Sequence, residues 1–241
     1  PILARMADMY GKRLMLLIAL GLLLVGAVIA AVGMTYPAVL AGRALQGFSS
    51  AIIPIGISLL RDQTSSQRTN SASAWMSASL GVGAALGLPL SGLLSAQLGI
   101  ASLFWFSAIA SVVFILAIWL LVRESPVRSG GRFDFPGAIL LAFILVCTLL
   151  VISKAVEWGW TSPPIIALAV GAALGFALWI PLQLRTPAAL VDLRINGARP
   201  VLQTNVASFF ATVAMFANHI LTTQQVMAPV AYGATMPGDL V

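Results

Sequence analysis

The sequence predicts an all-α integral membrane protein, a helical bundle of about seven spanning helices, and three observations carry that prediction. Of its 241 residues, 60% are hydrophobic and 8% charged, with a mean hydropathy of +1.01; soluble domains carry about a quarter charged residues. Seven apolar runs approach the roughly 20 residues that a helix needs to cross a bilayer. They fall at 14–32, 37–60, 73–95, 102–122, 136–153, 164–184 and 201–224. Finally, the basic residues crowd into alternate connections between the runs.

The connections justify the elements in order. Gly33-Met34-Thr35-Tyr36 separates the first two runs, and a polar loop over 61–72 separates the second from the third. The third run carries Ser79, Gly83, Gly87, Ser91 and Ser95 at four-residue spacing, with Pro89 and Gly92 among them. Such a ridge lets two helices approach closely, because lipid supplies no hydrophobic force between helices and packing must do the work. Pro89 removes a backbone donor and predicts a kink. The fourth run opens on Phe104, Trp105 and Phe106, and Trp158 and Trp160 follow the fifth. Both groups read as membrane-interface anchors or packing residues.

Charge sets the orientation. Arg5, Lys12 and Arg13 precede the first run; Arg61 and Arg68 follow the second, Arg123, Arg128 and Arg132 the fourth, and Arg185, Arg194 and Arg199 the sixth. These eleven fall on one side, Lys154 alone on the other, and Arg43 is the thirteenth basic residue. The positive-inside bias makes the side of Arg5 and Arg132 cytoplasmic. The net charge of +6 therefore reflects basic loops and no nucleic-acid partner.

Arg43 is the only charge in the run 37–60, in the stretch Gly42-Arg43-Ala44-Leu45-Gln46-Gly47. A cation inside a spanning helix costs about 2.5 kcal/mol or more, so by default it faces protein or a water-filled cavity. Helical spacing puts Arg43, Gln46, Gly47, Ser50 and Pro54 on one face. The alternative is that Arg43, about 9 Å below the start of its run at the helical rise, snorkels to the nearer headgroups.

Several chemistries find no support. Gly81-Val82-Gly83-Ala84-Ala85-Leu86-Gly87 has a nucleotide-loop look but lies inside a span, without the strand such a loop follows, and there is no Gly-Lys-Ser/Thr phosphate loop. Cys147, the single cysteine, rules out a disulfide framework. His219 is the only histidine and has no carboxylate near it in sequence. Asp8, Asp62, Glu124, Asp134, Glu157, Asp192 and Asp239 all fall in loops or at ends. No catalytic or metal-ligating set and no cofactor site is expected.

Three stretches together resemble the major facilitator superfamily of secondary transporters. Asp8, Gly11, Lys12 and Arg13, within Ala4-Arg5-Met6-Ala7-Asp8-Met9-Tyr10-Gly11-Lys12-Arg13, match the acid, glycine and basic pair of its loop between helices two and three. Ala4 stands where the family usually has glycine. Arg43, Gln46 and Gly47 match the helix-four motif whose arginine is implicated in proton coupling. Gly83, Gly87 and Gly92 match the helix-five motif of antiporters, although Leu88 takes the usual proline position, Pro89 comes one later and Ser91 replaces a glycine. Arg132-Phe133-Asp134-Phe135-Pro136-Gly137, Glu157-Trp158-Gly159-Trp160 and Ala189-Leu190-Val191-Asp192-Leu193 resemble the central helix pair of the fourteen-helix drug:proton antiporters.

The resemblance implies that the seven runs are helices three to nine of fourteen, an incomplete bundle. Residues 1–122 would be part of the N-terminal bundle, 123–200 the central linking pair with its cytoplasmic loops, and 201–241 the first helix of the C-terminal bundle and a tail. A chain opening on Pro1 reads as a fragment, with the tail 228–241 fitting the pattern poorly. The implied activity is export of drugs or other amphipathic small molecules in exchange for protons across the plasma (cytoplasmic) membrane, with the missing helices and the lipid bilayer as partners. Arg43 and Gln46 would serve proton coupling, Asp8, Gly11, Lys12 and Arg13 a cytoplasmic latch, and Gly83, Gly87, Pro89 and Gly92 a tight helix contact. Two other readings remain: a non-transporting truncated membrane subunit, and a facilitator of sugars or metabolites.

Overall fold

The computed structural model describes residues 2–128, 130, 133–186 and 189–227. Arg132, the tail 228–241 and the side chain of His219 lie outside the described residues. Among the described residues the secondary structure is helical throughout, and seven helices are long and apolar enough to cross a membrane. Helix α1 is Ile2–Tyr10, α2 Lys12–Gly33, α3 Tyr36–Gln46, α4 Ile52–Gln63, α5 Ser66–Leu98 and α6 Ala101–Leu121. They are followed by α7 Phe135–Trp158, α8 Pro163–Arg185, a single turn α9 Leu193–Asn196, and α10 Arg199–Met227.

The expected runs all appear, with three differences. The stretch before the first run, expected as loop, is helix α1, with Leu3 and Ala7 buried against Met15, Leu16 and Ala19 of α2 and Ile55 and Leu59 of α4. The polar loop 61–72 shrinks to Thr64 and Ser65, because α4 runs on to Gln63 and α5 begins at Ser66. Polar residues continue a helix readily once the apolar part has set its direction; what they lose outside the bilayer is only the obligation to be apolar.

The third difference lies inside the second span. Gly47–Ala51 forms a 3₁₀ turn between α3 and α4. Pro54 has no N–H to return to the carbonyl four residues back, and the Ser50 hydroxyl donates to the Gly47 carbonyl at 2.9 Å. The α register is therefore interrupted, so the face expected to run from Arg43 to Pro54 is not continuous.

The chain separates into two compact units, Pro1–Val146 and Cys147–Val241, the division falling within α7. In the first unit α2 is the central post, packed by α1, α3, α4 and α6. Its crossing with α3 is set by two glycines. A Cβ on Gly26 would lie 2.5 Å from the Gly42 carbonyl oxygen, and one on Gly42 would lie 2.5 Å from that of Gly26. Met34, in the left-handed region at φ 44°, closes α2 by donating its N–H to the Ala30 carbonyl, and so turns the chain into α3. Asp134 caps the start of α7, accepting from Gly137 N at 2.9 Å.

In the second unit Asp192 caps α9, its Oδ1 accepting from Arg194 N at 3.0 Å and Ile195 N at 3.1 Å. Gln183, buried on α8, accepts from Val191 N at 3.1 Å and so holds the connection to α9. Near the end of α7, Lys154 pairs with Glu157 at 2.5 Å and lies over the Trp158 ring.

Candidate functional site

Two clusters in the first unit bring together sequence-predicted residues, one at the basic-loop end of the helices and one around Arg43. At the first, Gly11 breaks the chain between α1 and α2 with φ 126°, a conformation open in practice to glycine. The break sets Lys12 at the head of α2, where it is 4% exposed. Its ammonium donates to Asp62 Oδ2 at 2.5 Å, whereas Asp8, one turn before it on α1, lies at 3.9 Å with its side chain half exposed. The short partner of Lys12 is thus the acid in the last turn of α4.

Asp62 is itself held. The Ser125 hydroxyl donates to the same Oδ2 at 2.5 Å, so one carboxylate oxygen accepts from an ammonium and a hydroxyl together. Ser125 is 3% exposed and also accepts from Val127 N at 3.1 Å, which fixes the turn it sits on.

Beside it, Glu124 closes the N-terminus of α2. Its Oε1 accepts from Arg13 N at 3.0 Å and its Oε2 from Leu14 N at 3.3 Å. The first N–H groups of a helix have no partner within it, and the helix dipole favours an anion there. A Cβ on Gly11 would come within 2.8 Å of Glu124 Oε2, so a side chain there would displace the capping carboxylate in addition to straining φ.

Arg13 completes the staple from the other side. Its Nη2 donates to the Trp119 carbonyl at 2.5 Å, in the last turn of α6, where the helix presents unpaired carbonyls and the negative end of its dipole. Gln63 Nε2 donates to the Arg123 carbonyl at 2.6 Å. The ends of α2, α4 and α6 are therefore tied by charge pairs and caps at one end of the bundle.

Sequence reasoning placed Asp8, Gly11, Lys12 and Arg13 here but missed Asp62, Glu124 and Ser125. A signal was present: both acids end spans on the side where Lys12 and Arg13 begin one.

At the second cluster, Arg43 Nη1 donates to Gln46 Oε1 at 3.4 Å, the pairing that their three-residue spacing predicts. The guanidinium also stands over the ring of Phe104 on α6, 5.4 Å from its centre. Otherwise Arg43 is exposed on this unit's surface, and among the described residues it has no ion pair. Gln46 Nε2 is buried without a hydrogen-bond partner. Next to it, Gly47 leaves an open groove of about 230 Å³ between α1 and the 3₁₀ turn, lined by Ile2, Leu3, Ala44, Phe48 and Ser50 among others.

The small-residue ridge of α5 has a different setting. A Cβ on Gly83, Gly87 or Gly92 would meet nothing within 4 Å, and none of the apolar stretch of α5 is buried. Pro89 lies inside the helix. The ridge hydroxyls turn back on their own helix, Ser91 to the Leu88 carbonyl at 2.8 Å and Ser95 to that of Gly92 at 3.0 Å. At its three glycines the ridge is therefore open.

No group of three or more His, Cys, Asp or Glu among the described residues is placed to hold a metal ion. The two clusters are thus an end cluster of charge pairs and caps around Lys12, Asp62, Arg13 and Glu124, and a guanidinium within an apolar run, bonded to Gln46.

Comparison with known proteins gives the context. The family model described as Major Facilitator Superfamily matches residues 1–234. The chain is 26% identical over 244 residues to "Multidrug resistance protein Stp" of Mycobacterium tuberculosis (strain CDC 1551 / Oshkosh), covering 99% of this chain and 45% of that protein. It is 25% identical over 240 residues to "Multidrug resistance protein 3" of Bacillus subtilis (strain 168), covering 98% and 42%. Over 196 residues it is 26% identical to "Quinolone resistance protein NorB" of Staphylococcus aureus (strain MRSA252), covering 79% and 42%. The chain thus spans somewhat under half the length of these relatives.

Proposed function

Because the chain belongs to the Major Facilitator Superfamily, we propose that it is part of a proton-coupled secondary transporter exporting drugs or other amphipathic small molecules by alternating access. It is a multi-pass membrane protein of a transporter family, with seven helices fit to span. The plasma membrane is the proposed location, and the fourteen-helix antiporter group the proposed subfamily. Residues 1–122 are assigned to the N-terminal bundle, 123–200 to a linking pair and 201–241 to the start of the second bundle. The remaining helices of the complete transporter supply the partner bundle that rocks against this one about a midplane site.

The observation that carries the reading is Arg43: one cation within an apolar run, paired with Gln46 rather than with an acid, in a chain whose relatives bear multidrug-resistance names. A fixed positive charge lowers the pKa of a neighbouring acid and so ties its protonation to the state of the pathway. Asp8, Gly11, Lys12 and Arg13, now with Asp62 and Glu124, act as the latch that favours one state. Gly83, Gly87, Pro89 and Gly92 form the smooth face on which the partner bundle closes.

The test uses the complete transporter carrying this sequence, reconstituted in vesicles with an imposed pH gradient and a lipophilic dye as substrate. Arg43→Leu is expected to lower gradient-driven efflux at least about tenfold, a barrier change of roughly 1.4 kcal/mol, while the protein stays in the membrane. Arg43→Lys keeps the charge but loses the planar fork, and is expected to fall between. Wild-type efflux with normal gradient dependence in Arg43→Leu would make Arg43 a headgroup anchor and overturn the coupling role.

A further inference from the structure

Phe104 belongs to a row of three aromatics that the sequence marks as one interfacial group. The helix separates them. Successive residues turn by about 100°, so three in a row cannot share a face. Trp105 and Phe106 are 46% and 48% exposed, while Phe104 is 6% exposed and turned into the unit. There it packs with Ala30 and Ala31 of α2, and Val39 of α3 lies against the same cluster. Small side chains behind the ring let α2 and α6 close on it.

The inward ring is the one beneath Arg43. Its centre is 5.4 Å from the guanidinium carbon, within the roughly 6 Å over which an aromatic face attracts a cation, an attraction that strengthens as water is removed. The other contact of that guanidinium is the long hydrogen bond to Gln46 at 3.4 Å. Near Arg43, α3 cannot shift freely along α2, because Gly42 and Gly26 are in backbone contact. Backbone position and ring position are therefore both fixed, and the side chain spans the gap between them.

We propose that Phe104 is the positioning residue for Arg43: its ring face holds the guanidinium against α6, at the surface of this unit, and keeps it from extending to the headgroups. The proposal rests on the coupling role given to Arg43 above. It separates the two sequence readings of Arg43, since a guanidinium seated on Phe104 is held by α6 and is not free to snorkel.

Fluorination tests the seat without changing the shape of the core. In the complete transporter, Phe104 is replaced by mono-, di- and trifluorophenylalanine, which draw electron density from the ring face while nearly preserving its size. Gradient-driven efflux is expected to fall stepwise, by roughly threefold or more at trifluorophenylalanine, the loss appropriate to a cation–π pair of modest strength. Phe104→Tyr, which keeps the face, retains activity; Phe104→Leu, which keeps apolar bulk and loses the face, does not. The ¹⁹F resonance of monofluorophenylalanine at 104 gives a readout independent of transport: it shifts between wild type and Arg43→Leu if ring and guanidinium are in contact. An unchanged resonance, or a flat efflux series at matched expression, overturns the proposal. If Arg43→Leu itself exports normally, the coupling role fails, while the resonance still reports whether ring and guanidinium touch, so the two failures are read separately.

Discussion

Lys12 and Asp62 stand 50 positions apart in sequence and 2.5 Å apart in the structure, with the lysine side chain 6% and the aspartate side chain 15% exposed. Breaking such a pair from one side leaves Lys12 with only Asp8 at 3.9 Å, or Asp62 with only the Ser125 hydroxyl, at a cost of up to about 3 kcal/mol. Replacing both members by apolar residues of similar volume removes both charges and is often nearly neutral. Asp62→Asn or Lys12→Met alone is therefore expected to lower the thermal unfolding midpoint of the purified transporter clearly, and Lys12→Met with Asp62→Leu to recover most of it. Equal losses in the single and double variants would mean that the pair is no unit. A latch role adds that the double variant folds but shifts the accessibility of the two states.

Glu124 and Gly11 yield a second, coupled prediction. Glu124 accepts from two consecutive backbone N–H groups at the start of α2, and loss of such a cap costs about 1 kcal/mol, with a further contribution from the dipole. Gly11→Ala meets two obstacles: strain at φ 126°, of order 1–3 kcal/mol, and a contact of 2.8 Å with Glu124 Oε2. In Glu124→Ala the second obstacle is gone and the first remains. The double variant is expected to be more stable than the sum of its single losses, by an interaction of about 0.5 kcal/mol or more. Strict additivity in unfolding experiments would place Gly11 out of reach of the Glu124 side chain.

Topology is testable with two cysteines. After Cys147, which is buried, is replaced by alanine, a cysteine at Gly130 precedes α7 and one at Thr161 follows it. If the seven runs cross the bilayer in turn, eleven of the thirteen basic residues fall at run ends on the side of Gly130 and Lys154 alone on the side of Thr161. Cysteine at 130 is expected to react with a membrane-impermeant reagent only from the cytoplasmic face, and cysteine at 161 only from outside. Reaction of both from one face would contradict a membrane crossing by α7.

The spans were legible because length and hydrophobicity are local properties, written residue by residue in runs such as 14–32 and 102–122. Their edges were less so: α5 begins at Ser66, and α7 continues through Lys154 to Trp158, because a helix outlasts its apolar stretch. The 3₁₀ turn at Gly47–Ala51 had a local cause in Pro54, but spacing alone treated the stretch as one α face. The partners of Lys12 and Arg13 were not legible. Asp62, Glu124 and the Trp119 carbonyl lie 50 to more than 100 positions away, and which loops meet is decided by helix order around α2. Phe104 was legible as an aromatic but not as the inward one of three, since that depends on which face of α6 meets α2.

Gly26 shows the same limit and carries the last prediction. In sequence it is one glycine in a run rich in leucine, alanine and valine, whereas Gly42 stands in a motif, so nothing local joins them. In the structure each occupies the space that the other's side chain would need, with 2.5 Å between an added Cβ and the opposite carbonyl oxygen. The obstructing atom is backbone in both directions, so no side-chain rotation relieves it. Leu45 and Gln46 would also press on a Cβ at 26, at 3.0 and 3.1 Å, and the second of these is the partner of Arg43. In lipid the helices gain nothing from hydrophobic exclusion, so the separation forced by one methyl removes packing that the bilayer does not replace. Overpacking of this kind costs about 1–3 kcal/mol. Gly26→Ala and Gly42→Ala are each expected to lower the unfolding midpoint, whereas Gly21→Ala, where a Cβ meets nothing within 4 Å, is expected to be neutral or slightly stabilising through helix propensity. Because the displaced element carries Arg43, the surviving folded fraction of Gly26→Ala is also expected to show impaired gradient dependence of efflux, while Gly21→Ala keeps it. Equal midpoints for the alanine variants at 21, 26 and 42 would show that α2 and α3 do not meet at these two glycines.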